Sequence, residues 1–244
     1  MLEPIYIPRF HNQFPTKNHY LAWRGFDSLG HEIHFFEDSQ LRFDLPPDAI
    51  VIGGVVEVER AFKKLSIQYS GLEAIPAELL PFAGRRLWKS TIDDVIDLTS
   101  AESFQPIFVK PLPDQHKLFP GKVISNRFDT LVFLHADSAT PVLCSEVVQF
   151  GSEWRVFIHH HQIVNISHYL GTPTIFPDVL KIEQMIDTYT DQPVAFSLDV
   201  GVIASGETLP VEVNDCIALG AYGLRSVRYA QMIRDRWREM RNNQ

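Results

Sequence analysis

The chain has 244 residues, 45% of them hydrophobic and 21% charged, with a formal net charge of -8. That apolar share is enough for a buried core, as one large domain or two small ones. The acidic balance argues against nucleic acid as the main partner, because neutralising phosphates needs a cationic face. No stretch approaches the roughly 18 apolar residues of a membrane span. The start, MLEPIYIPRFHNQF, has no basic stretch followed by an apolar core, so no signal peptide is expected. Cys144 and Cys216 are too few for a disulfide framework and point to a reducing, cytoplasmic setting.

In chain order, EPIYIP reads as a short strand. NHYLAWRGFDSLG has helical spacing, with Tyr20, Trp23 and Phe26 on one side and Gly30 as its stop. HEIHFFED is a second strand, AIVIGG a buried third, and VEVERAFKKLS the helix after it. This order predicts a small α/β unit with some parallel pairing, ending near residue 85 after the turn Phe82-Ala83-Gly84. In residues 86–244, RRLWKSTIDDVIDLT reads as a helix. PIFVKPL, GKVISN, TLVFLH, VLCSEVVQF and EWRVFIHHHQIVNISHY read as strands, with a hairpin turn at HHHQ. FPDVLKIEQMIDTYT is a helix, PVAFSLDVGVIA and TLPVEVND are strands, and RSVRYAQMIRDRWREM is a closing amphipathic helix with Val227, Ala230, Ile233 and Trp237 on one face. Short links predict antiparallel pairing, and the whole reads as α+β with an α/β front end.

Side chains alternate faces along a strand. In FSLDVGV this groups Ser197, Asp199 and Gly201; in LPVEVND it groups Glu212 and Asn214. ASGET links the two strands as a turn, so a hairpin brings Asp199, Glu212 and Asn214 to one side. Like charges this close raise each other's pKa unless a cation is bound. Hard oxygen donors suit Mg²⁺ or Mn²⁺; the alternative is a solvated strand face with ordinary surface carboxylates. Upstream, Lys110 ends the strand PIFVKP on the face opposite Ile107 and Val109, where its charge calls for an anion. The following loop carries Lys117 and then Lys122, as a cover for phosphate or as ordinary surface lysines; Lys122 reads as the latter.

These motifs, in this order, resemble the ATP-grasp superfamily over residues 86–224. FVKP resembles the strand whose lysine holds the α- and β-phosphates. SEVVQFGSEWRVF resembles the hinge strand of D-alanine–D-alanine ligase-like members, with Glu146 and Glu153 seven residues apart. Asp199 followed thirteen residues later by Glu212-x-Asn214 resembles the family's magnesium ligands. The resemblance implies an ATP-grasp fold behind a small N-terminal α/β domain of residues 1–85. It implies backbone recognition of adenine around Glu146, Val147 and Val148, ribose binding by Glu153, phosphate binding by Lys110, Lys89 and Lys117, and Mg²⁺ (Mn²⁺ being possible) on Asp199, Glu212 and Asn214. The implied activity is ATP-dependent carboxylate–amine ligation through an acyl-phosphate, on a small molecule or peptide. Ser197 stands where ligases often place an arginine that meets the acyl-phosphate. Strand parity puts Arg155 on the face of Glu153, so Arg155 is expected to contact the γ-phosphate or an acidic substrate, the alternative being a surface salt bridge. A phosphotransferase on the same fold and a non-catalytic ATP-binding module are the competing functions.

The remaining motifs carry less. His159, His161 and His168 read as part of a solvated turn rather than a zinc site, which needs three or four ligands and a supporting shell. HEIH has its histidines three apart on a strand, unlike helical HExxH. Cys216 reads as a small buried thiol. Asp215 and Tyr222 either line the acceptor pocket or cap the next turn. The arginines of the last helix read mostly as a solvated face, with Arg225 and Arg228 near enough its start to reach an acidic substrate.

Overall fold

The computed structural model describes residues 2–69, 71–112 and 118–242. Strands β1 (Ile5–Pro8), β2 (Ile33–Phe36) and β3 (Ile50–Val51) form a parallel sheet in the order β2-β1-β3. Helices α1 (Lys17–Ser28) and α2 (Val55–Lys64) follow β1 and β3. Thr16 caps α1, and Gly30, at φ +78°, lies just past its end.

A second sheet is antiparallel, in the order β4-β7-β5-β6, from β4 (Leu87–Thr91), β5 (Ile107–Pro111), β6 (Lys122–Ile124) and β7 (Pro141–Glu146). One face packs under helix α3 (Ile92–Leu98) through Val95, Val109, Val142 and Cys144. Two expectations change here. The helix predicted from Arg85 starts only at Ile92, because Thr91 and Asp94 make a reciprocal capping box there and the preceding residues pair with β7. The strand predicted at TLVFLH is a 3-10 helix, Arg127–Phe133, whose first turn is set by the Asn126 side chain accepting from Phe128 N.

The third sheet is antiparallel in the order β11-β10-β8-β9, from β8 (Phe150–His159), β9 (Gln162–Gly171), β10 (Ala195–Ile203) and β11 (Thr208–Asp215). The β8–β9 turn is His160-His161, both at positive φ, as a two-residue hairpin of right-handed twist requires. One face buries Trp154, Val156, Ile158, Leu198 and Val213 against α4 (Val179–Thr188). On the other face, Phe157 and Ala195 join a core with α5 (Ser226–Asn242) and the N-terminal sheet. Within α5, Ala230, Ile233 and Trp237 are buried with Tyr229, Met232 and Met240, while Val227 is exposed. Helix α5 lies against α1 so closely that a Cβ on Gly25 would stand 2.1 Å from Ser226 O. The arginines expected to be solvated are largely paired: Arg236 is buried on Asp215 and Glu239, Arg238 binds Glu3 and Arg234 binds Asp235. Arg225 and Arg228 are exposed. Among the described residues no helix is long and apolar enough to cross a membrane.

Candidate functional site

The free faces of the two antiparallel sheets meet around a cavity of about 320 Å³. Pleating sends Val109 and Cys144 into the core below and leaves Phe108, Lys110, Leu143 and Ser145 facing the cavity. Glu146, Val147 and Val148 line it where β7 passes to β8, and Glu153 and Glu212 line it from the third sheet. Phe150 reaches over Gly201, where a Cβ would stand 2.2 Å from the ring, so this wall requires glycine. The volume lies at the lower end of the small-molecule range.

The β10–β11 register sets Asp199 directly opposite Glu212 and Ser197 opposite Asn214. Asn214 Nδ2 donates to Asp199 Oδ2 at 3.3 Å. Three oxygen-bearing side chains therefore share one patch, a donor set that fits a hard divalent cation. Cations distant in sequence balance them. Lys110 Nζ crosses from β5 to within 3.3 Å of Glu212 Oε1. Arg155, opposite Asp199 on β8, binds it in a side-on fork, Nε to Oδ1 at 2.7 Å and Nη2 to Oδ2 at 2.6 Å. Asp199 is 4% exposed, and Arg155 is largely buried rather than part of a surface salt bridge. Burial, with Glu212 and Glu153 nearby, pushes the Asp199 carboxyl above its ordinary value against the pull of the guanidinium. Burial works against the charge on Arg155, but the bond to Asp199 outweighs it and raises the guanidinium pKa.

Glu153 Oε2 accepts from the Tyr169 hydroxyl at 2.8 Å. Tyr169 is the extra residue of a β-bulge, because the register steps from Glu153↔Leu170 to Trp154↔His168. Tyr222, at φ +39° on a turn tied to α1 by Ala221 N donating to Asn18 Oδ1, lays its ring 4.5 Å from the Arg155 guanidinium carbon. Asp215 caps the turn after β11 by accepting from Ile217 N and pairs with Arg236.

Lys89 sits on the same face of β4 as Leu87, but outside the cavity lining, with Nζ 3.4 Å from Glu73 and both side chains exposed. Glu146 turns its carboxylate to Arg86, whose backbone N donates to it at 3.0 Å. Lys117 lies outside the described residues. Lys122 pairs with Asp129.

Sequence reasoning missed Arg85 and Tyr169. Arg85 lines the cavity, with Nη1 donating to Ala83 O and Pro210 O and the guanidinium 6.0 Å from the Phe150 ring. Burial lowers its pKa, and no carboxylate among the described residues lies within ion-pair distance of it. Its one sequence signal is the doubled arginine after Gly84. Tyr169 shares the face of Ser167, which stands opposite Arg155; it was hidden because the β8–β9 register is not readable from the sequence.

The histidines separate. His159 lies on the α5 side of β8, whereas His168 stacks edge-on against Trp154 on the other face. His159 and His160 approach Asp235 Oδ2 at 3.0 and 3.4 Å, a grouping able to hold a metal ion, but Arg234 on Oδ1 at 2.8 Å and Arg238 at 3.7 Å already balance that carboxylate. This network fastens the β8–β9 turn to α5.

A family model of an ATP-grasp domain, the second family of one ATP-grasp clade, matches residues 82–232. No curated protein matches the chain by sequence. Among solved structures, a RimK domain ATP-grasp protein from Sphaerobacter thermophilus is 16% identical, with a TM-score of 0.59 over 95% of this chain and 98% of that one. D-alanine–D-alanine ligase from Bacillus anthracis is 14% identical, with a TM-score of 0.55 over the whole of both chains. A D-cycloserine synthetase is 13% identical, with a TM-score of 0.62 over 96% of this chain and 99% of that one. At these identities the likeness is one of fold.

Proposed function

The chain belongs to this ATP-grasp family, and from that premise we propose that it is an ATP-dependent ligase joining a carboxylate to an amine, on a small molecule or a peptide. The observation that carries the reading is Lys110 of one sheet meeting Glu212 of the other at 3.3 Å, with Asp199 and Asn214 alongside. A cation and an oxygen-rich patch facing each other across a cavity suit a triphosphate and its divalent cations. When bound, ATP supplies a phosphoryl group that activates the substrate carboxylate as an acyl-phosphate for displacement by the amine.

The chain's own part is placement and charge neutralisation. Asp199, Glu212 and Asn214 are the residues that would hold Mg²⁺ or Mn²⁺, which would neutralise charge on the transferring phosphoryl group. Lys110, with Lys117 and Arg85, neutralises phosphate charge, and the exposed Lys89 adds little. Backbone groups of Glu146, Val147 and Val148 pair with the adenine edge. Glu153, aimed by Tyr169, accepts from ribose hydroxyls. Arg155 serves an anionic group beside the γ-phosphate. Residues 1–85 form an N-terminal unit whose last residue, Arg85, lines the cleft, and residues 86–244 carry the other site residues. Two buried free cysteines fit a cytoplasmic setting.

A phosphotransferase is the second reading, favoured by Ser197 standing where ligases often carry arginine. ATP consumption screened against amino acids, peptides and cell extract, with mass spectrometry of products, separates the two. A ligase gives ADP, free phosphate and a new amide only when carboxylate and amine are both present; a phosphotransferase gives a phosphorylated product. Asp199→Asn and Glu212→Gln are each expected to cut turnover by about 100-fold or more while circular dichroism stays unchanged. Full activity in either variant refutes the metal assignment.

A further inference from the structure

We propose that Arg155 and Asp199 form an exchangeable pair: Asp199 gives up the guanidinium when the divalent cation and nucleotide are bound, and the freed guanidinium becomes the receptor for the substrate's carboxylate. This deepens the ligase reading and rests on it.

Both oxygens of Asp199 are taken in the structure. Arg155 Nε holds Oδ1 at 2.7 Å, and Oδ2 receives both Arg155 Nη2 at 2.6 Å and Asn214 Nδ2 at 3.3 Å. A carboxylate oxygen has two in-plane lone pairs, so Oδ2 has no further acceptor site for a metal. One lone pair, on Oδ1, is left for a cation, so Asp199 cannot hold a metal through both oxygens and keep the whole fork. Charge points the same way. The charges of Asp199 and Glu212 are matched by those of Arg155 and Lys110, with the Glu153 carboxylate nearby. A dication held by Asp199 competes with the guanidinium for the same carboxylate and is repelled by that guanidinium at close range.

The surroundings give Arg155 somewhere to go. Its guanidinium carbon is 4.5 Å from the ring of half-exposed Tyr222 and 6.0 Å from that of Tyr169. The π-faces keep a cation favourable after its carboxylate partner has left. The planar fork then presents its donors to a new carboxylate in the same two-bond geometry. The substrate's anion site is therefore completed only after the metal and nucleotide are in place, which imposes an order of binding and discourages activation in an unloaded cleft.

Side-chain ¹⁵N NMR on the full chain tests this, with the Nε–H signal of Arg155 identified by its loss in Arg155→Lys. In the free protein that proton is expected to exchange slowly with water. It should persist when the ATP analogue AMPPNP is added without a divalent cation. It should shift or disappear in step with saturation when Mg²⁺ and AMPPNP are added together, saturation being followed by calorimetry. Asp199→Asn should show the altered signal without any ligand. Bound Mg²⁺ and AMPPNP with an unchanged Nε–H signal would overturn the exchange and leave the nucleotide site standing. No binding of Mg²⁺ and AMPPNP at all would overturn the nucleotide reading and the exchange together.

Discussion

Arg85 and Lys89 are four residues apart and differ in every property that matters for binding an anion. Lys89 is exposed and meets an exposed Glu73, a pairing of small energetic weight because water screens it. Arg85 is held by two backbone carbonyls, lines the cavity and has no carboxylate among the described residues within ion-pair distance, so its charge is available to a phosphate. Arg85→Ala is expected to weaken AMPPNP binding about tenfold, which corresponds to about 1.4 kcal/mol, whereas Lys89→Ala changes it less than about twofold. Calorimetric titration of both variants measures the contrast, and equal losses would remove the distinction. The resemblance singled out Lys89 for its place just ahead of the helix before FVKP; what ranks the two residues is exposure, which chain order does not encode.

At the level of elements, the helix–helix contact makes the sharpest demand. Gly25 of α1 has no room for a side chain, since Ser226 O and Ala230 Cβ occupy the position at 2.1 and 2.7 Å. Gly25→Ala must push α1 and α5 apart, at an overpacking cost of about 1–3 kcal/mol. For a chain of this size that lowers the melting temperature by about 2–12 °C, measurable by calorimetry. Most elements were legible from period and punctuation, as in β5, where Ile107 and Val109 alternate with Phe108 and Lys110. The misread ones share a cause. Leu87–Thr91 is a strand because β7 pairs with it, and Arg127–Phe133 is a 3-10 helix because Asn126 and Asp129 satisfy its first turn. Partners elsewhere in the chain or local side-chain bonds overrode the propensity of short apolar runs.

For the whole molecule, the site lies between two sheets with a third unit at its border, so ligand binding and folding stability are linked. Mg²⁺ and AMPPNP at about 100 times the dissociation constant should add about 2.7 kcal/mol and raise the melting temperature by roughly 5–11 °C. Thermal denaturation of the wild type and of Asp199→Asn, which should lose most of the gain, checks this; a wild type that does not shift contradicts the cleft as a nucleotide site. The sequence by itself determined the α+β class, the family, and the faces on which Lys110, Glu153, Asp199, Glu212 and Asn214 lie, because strand alternation and motif spacing are local properties of the chain. Only the tertiary structure decided which charges meet. Arg155 is 44 residues from Asp199, Lys110 reaches Glu212 from another sheet, and Arg236 is buried on Asp215 rather than solvated. Electrostatic partners are chosen by distance in space and by exclusion of water, and neither is written in the order of residues.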